Sequence, residues 1–528
     1  GMGFPIHIMS SMSPVFLMAI ATDGIHIFNE FYFRCREKKG SSPFKGSSPF
    51  KGLTPFEGKK AAIIETMKAV GTPLIYTDIT TAAGFASLLF ANIIPVKVFG
   101  FGVAFGTLVL LLSSFTIVPA LLTLIDIEKL EFAHKKEDIR ASKTSFFLQR
   151  LGGLGTRRPK TVAAVGLILC IVAVIGMTRI VVNNNMVKWF KHGSGVRVAD
   201  RALNSGLGGT SVAYIVAISD EDDYMKSPEA MRYIEGLQKR LERIPAVGKT
   251  SSVVDYVKRI NLVLHDNDPE YDSVPDTKDM IGQYLFLFGM SAKPSDLDNV
   301  VDYPFRKAAI QVQLKTWDVM AMRDVIKAID EYKNGNPGRI ELKPSGTAYF
   351  NLVWNDEVLW DMLKGFIAAL VAVFLILVLD FRSVKWAAIG YIPLLFTIIL
   401  IYGVVGFTGK DFDMPISVLS CLSLGMAVDF SIHFISRFKQ RLKEIAKPGA
   451  SPDAALLTEA LLWTAVRPGK GIVRNALLFA LAFSVMLFAP LTPYITVGAF
   501  IVSMMILSAL FTIIYLPALI ILMRGWLF

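Results

Sequence analysis

One long stretch of this chain occurs twice, and each copy follows an apolar helix with an aspartate inside it. Leu89-Phe90-Ala91, Pro95, Gly100 and Pro119-Ala120-Leu121 return as Leu487-Phe488-Ala489, Pro493, Gly498 and Pro517-Ala518-Leu519, a constant offset of 398 (Leu89 to Leu487). Upstream of the copies stand Ala21-Thr22-Asp23-Gly24-Ile25-His26 and Val428-Asp429-Phe430-Ser431-Ile432-His433. A charge at bilayer depth is costly, so an aspartate held there marks a working site by default. Two of them in related halves predict a transporter built from repeats, with its site between the halves.

The chain is 53% hydrophobic over 528 residues, too apolar for a soluble protein with so many long uncharged runs. Nine runs read as membrane spans, at 8–28, 73–93, 98–125, 161–177, 362–379, 386–407, 416–435, 472–489 and 495–523. The formal charge of +11 gathers beside their ends, as in Arg34-Cys35-Arg36, Arg157-Arg158, Arg437-Phe438-Lys439 and Arg524. That is the pattern of cytoplasmic loops and not of a nucleic-acid surface. It places 34–68, 125–160, 380–385 and 437–470 inside, and leaves 181–360 with the turns near 94–95, 409–413 and 490–493 outside. Of the three cysteines, Cys170 and Cys421 fall in apolar runs and Cys35 in a basic junction, so neither a disulfide framework nor a zinc spacing is present.

The outer segment changes character. Strand-like stretches at 211–219, 249–254, 308–315 and 339–342 alternate with helix-like ones at 228–244, 278–288 and 319–332. Two βαβ units in a row predict a pair of small α+β subdomains. Gly206, Gly208 and Gly209 precede the first strand instead of following one, so they read as a turn and not a phosphate loop. Gly40-Ser41-Ser42-Pro43-Phe44-Lys45 repeats through 57 and predicts a flexible linker. Amphipathic stretches at 61–70 and 453–466 predict connectors along the membrane surface. The expected organisation is a partial first membrane half over 1–125 and a cytoplasmic linker over 126–160. A span over 161–180, a porter-type domain over 181–361 and five spans over 362–528 follow.

Asp23 and His26 are three residues apart and Asp429 and His433 four, so each pair shares one helix face. A buried carboxylate can take a proton from one side and release it to the other if the protein alternates between two shapes, and a neighbouring imidazole can pass the proton on. Structural hydrogen bonds between helices are the competing reading for the aspartates, and headgroup contacts for the histidines. The halves align in two ways here. An offset of 407 (His26 to His433) superposes the histidines and Phe31 on Phe438, whereas 406 superposes the aspartates. The first keeps more identities. Asp78, in Thr77-Asp78-Ile79-Thr80-Thr81, adds a carboxylate to one half only. It joins the relay or is solvated near the helix start. No cofactor motif, metal-ligand set or catalytic constellation is visible.

Gly425-Met426-Ala427-Val428-Asp429-Phe430-Ser431-Ile432-His433-Phe434, Thr80-Thr81-Ala82-Ala83-Gly84-Phe85, the Pro-Ala-Leu helix ends, Leu207-Gly208-Gly209 and Pro344-Ser345-Gly346-Thr347 come in an order that resembles the resistance-nodulation-division superfamily. The branch it is most similar to is the mycobacterial-membrane-protein-large group of lipid exporters. The resemblance implies a polytopic α-helical membrane protein with an extracytoplasmic α+β porter domain of ferredoxin-like βαβ units. It further implies two pseudo-repeated halves, a place in the bacterial inner membrane, and proton-carrying aspartates at Asp429 and Asp23, to which the residue reading adds His433, His26 and Asp78 as relay candidates. It also implies that the chain starts at the fourth of twelve helices, as a truncated product, a fragment or one piece of a split protein. The lipid-exporting branch often has tyrosine after the aspartate. Here Phe430 follows Asp429 and Gly24 follows Asp23, which removes a hydroxyl from both places.

Three functions compete. Proton-driven export of a hydrophobic or amphipathic substrate, a lipid above all, stands first. A non-transporting lipid- or sterol-sensing scaffold is the alternative, and an intramembrane aspartyl protease the remote third. Expected partners are the lipid or other hydrophobic molecule, the membrane and protons, with a periplasmic partner or a homo-oligomer left open and nucleic acid excluded.

Overall fold

The computed structural model describes residues 10–37, 55–125, 143–291, 294–446 and 452–528. They form two compact units. One takes the chain up to Val181 together with Val358–Ala489 and Pro493–Phe528, the other Val182–Glu357 with Pro490–Thr492.

The first unit is helical. It opens with α1 (Ser13–Ile20), a 3-10 turn (Ala21–Asp23) and α2 (Gly24–Glu37). Then come α3 (Pro55–Ala86), a 3-10 turn (Ser87–Phe90), α4 (Ile94–Leu124), α5 (Lys143–Arg157) and α6 (Pro159–Met177). Proline stands at the first or second position of α4 and α6, where its missing N–H costs nothing. The span expected at 8–28 is therefore not one helix. It tightens to 3-10 at Asp23, and mid-helix 3-10 stretches mark hinges or strain. The 40–57 repeat falls outside the described residues up to the start of α3. The described part of the expected linker 126–160 includes the helix α5, seated by small residues. A Cβ added at Gly152 would stand 2.6 Å from the Cβ of Ala465.

The second unit holds α7 (Gly195–Gly206), β1 (Ser211–Ile218), α8 (Pro228–Leu241), β2 (Val247–Ser251), α9 (Val253–Leu264), α10 (Lys278–Ser291), β3 (Lys307–Leu314), α11 (Val319–Gly335) and β4 (Glu341–Ser345). The four strands make one antiparallel sheet in the order β2-β3-β1-β4, a ferredoxin-like topology. This corrects the expected pair of subdomains. Each βαβ unit supplies one central and one edge strand, and β3 lies between β1 and β2, so neither unit closes a sheet alone. The core sets Ala213, Ile215 and Ala217 of β1 beside Met231, Ile234 and Leu237 of α8 and Val325 and Ile329 of α11. Gly209 is a true turn glycine, with φ +148° and no room for a Cβ against the Leu314 carbonyl. Asp318 anchors the entry to α11. Its Oδ1 accepts from Asn183 Nδ2 at 2.7 Å and Asn185 Nδ2 at 2.9 Å and pairs with Lys188 Nζ at 3.0 Å. Burial pushes this carboxyl upward, but the three donors outweigh it and hold it at about 2.

The chain re-enters the helical unit through α12 (Gly346–Phe381), followed by α13 (Val384–Thr408), α14 (Met414–Ile445), α15 (Ala454–Ser484), a 3-10 turn (Val485–Phe488) and α16 (Thr492–Leu522). Among the described residues eight helices are long and apolar enough to cross a membrane: α3, α4, α6 and α12 to α16. This is a multi-pass membrane protein. The stretches expected to lie along the membrane surface, 61–70 and 453–466, are continuous in helix with the spans of α3 and α15.

The duplication is a repeat of backbone. α3 ends at Ala86, turns at Ser87–Phe90 and continues as α4 from Ile94 to Leu124. α15 ends at Ser484, turns at Val485–Phe488 and continues as α16 from Thr492 to Leu522, so every boundary obeys the 398 offset. Glycine explains the constancy. A Cβ at Gly100 would stand 2.7 Å from both the Leu88 Cβ and the Phe85 carbonyl, and one at Gly498 2.9 Å from the Met486 Cβ and the Phe483 carbonyl. Only glycine lets each second helix close against its turn.

Candidate functional site

α14 is the most enclosed helix of the membrane unit. Asp413 caps it, accepting from the Ile416 N–H at 3.3 Å, and every residue from Leu424 to Ile435 is buried. Gly425 admits α3: a Cβ there would lie 2.7 Å from the Thr81 Cα and 3.0 Å from the Thr80 carbonyl. Asp429, 2% exposed, follows four residues along α14, and Asp78, also 2% exposed, lies three residues back along α3. The helices run antiparallel, since Glu65 of α3 and Arg437 of α14 meet at the far end through Arg34 and Glu30. With a rise of 1.5 Å per residue, Asp429 lies about 6 Å and Asp78 about 4.5 Å from the Gly425–Thr81 contact, both toward the Glu65–Arg437 end. The two carboxylates lie at about the same level along the packed helices.

One turn beyond Asp429, the His433 ring stacks on His26 of α2, with centroids 3.9 Å apart and planes 13° off parallel. Gly471 of α15 leaves the imidazole its seat, because a Cβ there would lie 3.1 Å from His26 Nδ1. Asn475 Nδ2 lies 3.5 Å from His26 Nε2, and the Thr22 hydroxyl donates to Asn475 Oδ1 at 2.9 Å. A further turn on, Arg437 Nη2 donates to Glu30 Oε2 at 2.6 Å with both side chains buried. Arg34 Nε holds Glu30 Oε1 at 3.1 Å, and Arg34 also reaches Glu65 at 3.3 Å. Arg474 Nη1 donates to Asn29 Oδ1 at 2.9 Å.

His26 with His433, and Glu30 with Arg437, are each related by the 407 offset. Residues that face their own counterparts lie on the pseudo-twofold axis between the halves. The imidazole pair and the ion pair are therefore rungs of a ladder along that axis, which Asp429 precedes by one turn of α14.

Of the residues expected from sequence, Asp429, His433, His26 and Asp78 are all buried in the adjoining helices α2, α3 and α14. Asp23 closes the 3-10 turn before α2, and its side chain lies outside the described residues. The sequence reading counted Arg437 with the loop charges, did not single out Glu30, and missed Thr22 and Asn475 as a bonded pair. Running the 407 offset along every polar residue of 22–37 finds the ion pair. Among the described residues no three metal-ligating side chains converge.

Residues 55–162 and 194–528 match the model of the MMPL family. A membrane protein of Methanocaldococcus jannaschii is 21% identical over 357 residues, 66% of this chain and 87% of that protein. The cryo-EM structure of the hedgehog release protein Disp from the water bear Hypsibius dujardini superposes with a TM-score of 0.61 at 13% identity, over 97% of this chain. At that identity the likeness is one of fold, and this chain spans 63% of the length of that structure.

Proposed function

Because the chain belongs to the MMPL family, we propose that it exports a hydrophobic or amphipathic molecule, of the lipid class, using protons that move along the axial ladder. The observation that carries this reading is the burial of Asp429 and Asp78 at one level, one turn from a stacked histidine pair between two repeats. A carboxylate at that depth has a large free-energy difference between its charged and neutral forms. Proton binding therefore changes which packing of α14 against α2 and α3 is favoured, and a shape change driven this way needs only that difference.

Asp429 takes the proton, with Asp78 and Asp23 sharing the charge at the same stage, and His433 and His26 relay it. Two imidazolium rings face to face would repel strongly in a low-dielectric site, so the stack carries one proton at a time. Asn475 and Thr22 hold the His26 edge of the pair.

The bacterial inner membrane is the proposed location, with the sheet-bearing unit outside. Three contacts support that sidedness. The Phe412 N–H donates to the Val181 carbonyl at 2.8 Å, the Asn92 N–H to Asp361 at 2.7 Å, and Leu491 bridges Phe190. Each ties one interhelical turn to the residues that lead into or out of the large segment. The basic junctions then fall on the opposite, cytoplasmic side.

The test is reconstitution of the chain in liposomes of bacterial lipid under a pH gradient, with proton uptake and lipid release followed together. Lipid release that needs the gradient and stops in Asp429→Asn supports export. Gradient-independent release, or full activity in Asp429→Asn, rejects it. Native mass spectrometry at neutral and acidic pH identifies the cargo as the bound lipid whose occupancy responds to pH.

A further inference from the structure

We propose that Glu30 and Arg437 are positioning residues that close the proton relay toward the cytoplasm, keeping the His26·His433 stack from exchanging protons there until the halves separate. This rests on the proton-coupled reading above and extends it to a pair which that reading leaves out.

Glu30 follows His26 by four residues on α2, and Arg437 follows His433 by four on α14, so the ion pair lies directly below the stack on the same axis. Both side chains are buried, at 5% and 6% exposure, and the 2.6 Å contact spans the two halves. Phe31, Phe434 and Phe438 are buried on the same two helices and add apolar wall at this depth.

The electrostatics follow. A fixed cation across a narrow passage opposes an incoming proton, as positive charge does in channels that exclude protons. The groups acting on Glu30 come from every neighbouring helix: Arg34 on α2, Glu65 through Arg34 on α3, Arg437 on α14 and Arg467 on α15. Gln440 steadies Arg437, accepting from its Nη1 at 2.7 Å. Both Glu30 oxygens are already held by arginines, Oε1 by Arg34 and Oε2 by Arg437, so Glu30 serves as a fixed partner in the pair. It is the counter-charge that lets Arg437 stay buried in the path.

A mere clamp between helices would also use a buried ion pair, and proton leak separates the two roles. The chain is reconstituted in liposomes with a trapped pH dye, a gradient is applied without added cargo, and the initial rate of its collapse is measured. Wild type holds the gradient. Removing the cation one helical turn from the stack should raise the leak by roughly tenfold to a hundredfold in Arg437→Gln, whereas Glu30→Gln keeps that cation in place and should not leak. Arg437→Gln leaves Glu30 paired with Arg34, and Glu30→Gln strands the buried Arg437, so the double variant Glu30→Gln/Arg437→Gln, which strands none, is the stricter probe and should leak as Arg437→Gln does. The exchange Glu30→Arg/Arg437→Glu restores a cation on the axis and should restore tightness. Adding Asp429→Asn to the leaky double variant should stop the leak. A folded double variant that is as tight as wild type overturns the gate. If Asp429→Asn removes gradient-driven lipid release while the double variant stays tight, the gate fails and the relay stands. If Asp429→Asn leaves release intact, the relay fails.

Discussion

At the level where α3 carries Thr77 and Asp78, α15 carries Asn475 and Ala476, although the two helices end, turn and resume at equivalent residues. The repeats thus agree in backbone and differ in polar chemistry. Backbone agreement is enforced by contacts that tolerate no side chain, as at Gly100 and Gly498. Polar residues near the axis face no such constraint. The difference teaches that symmetry here positions the helices, and asymmetry decides which side holds the charge.

The sharpest way to break the comparison is at the carboxylates. Asp429→Asn should cut gradient-driven transport by at least about a hundredfold, the scale of losing an acid–base group. Asp78→Asn should cost about tenfold, or roughly 1.4 kcal/mol in the barrier. Adding Ala476→Asp should not rescue it, since the second repeat offers no partner built for a carboxylate at that place. Rescue to wild-type rate would show that the halves are interchangeable.

The backbone half of the comparison is tested by stability. Gly425→Val drives a side chain into the Thr81 backbone and should lower the unfolding midpoint through a loss of about 3 kcal/mol or more, because neither helix backbone can yield. Gly102→Val, where a Cβ meets nothing within 4 Å, is the control and should change little. Gly100→Ala and Gly498→Ala should each cost roughly 1–3 kcal/mol and should match each other in denaturation. Unequal losses would mean that the repeats differ in packing as well as in polarity.

A carboxylate outside the membrane gives the smallest and cleanest contrast. Asp318 is held at about 2 by donors, below the ordinary aspartate value of 3.8. A depressed carboxyl adds stability that is present above the unfolded value and is lost as pH falls from about 4 to about 2. The increment is roughly 1 kcal/mol, as the side chain is partly solvated. Unfolding midpoints of the full chain across that range should converge for wild type and Asp318→Asn at the acid end and separate above pH 4.

What could be read from the chain follows the same division. The 398 repeat was legible because glycine and proline are fixed by backbone geometry and leave their spacing in the sequence. The ferredoxin-like strands showed in their alternation, but the interleaving of β3 between β1 and β2 did not, since pairing over that distance is a tertiary fact. Arg437 was read as a loop charge, because nothing local distinguishes a solvated arginine from one that meets Glu30 on another helix. The 3-10 turn at Ala21–Asp23 was hidden inside a run with ordinary helical composition. Among the proposed relay residues, Asp429 and His433 stand out because charge and imidazole are rare in apolar runs. Asn475 was passed over, since amides are common in helices and its bond to Thr22 depends on a neighbour far along the chain.

The Glu30–Arg437 contact also carries a date. His26 meets His433 as a residue on the axis of a symmetric dimer meets its own copy. One turn along the same line, two identical subunits would have set glutamate against glutamate, or arginine against arginine, with like charges touching inside a membrane. Opposite charges at that place require the copies to mutate separately, which subunits read from one gene cannot do. The ion pair therefore entered after the ancestral gene had doubled, whether the copies were already fused or still made as two chains, and it could not have been present in a homodimeric ancestor.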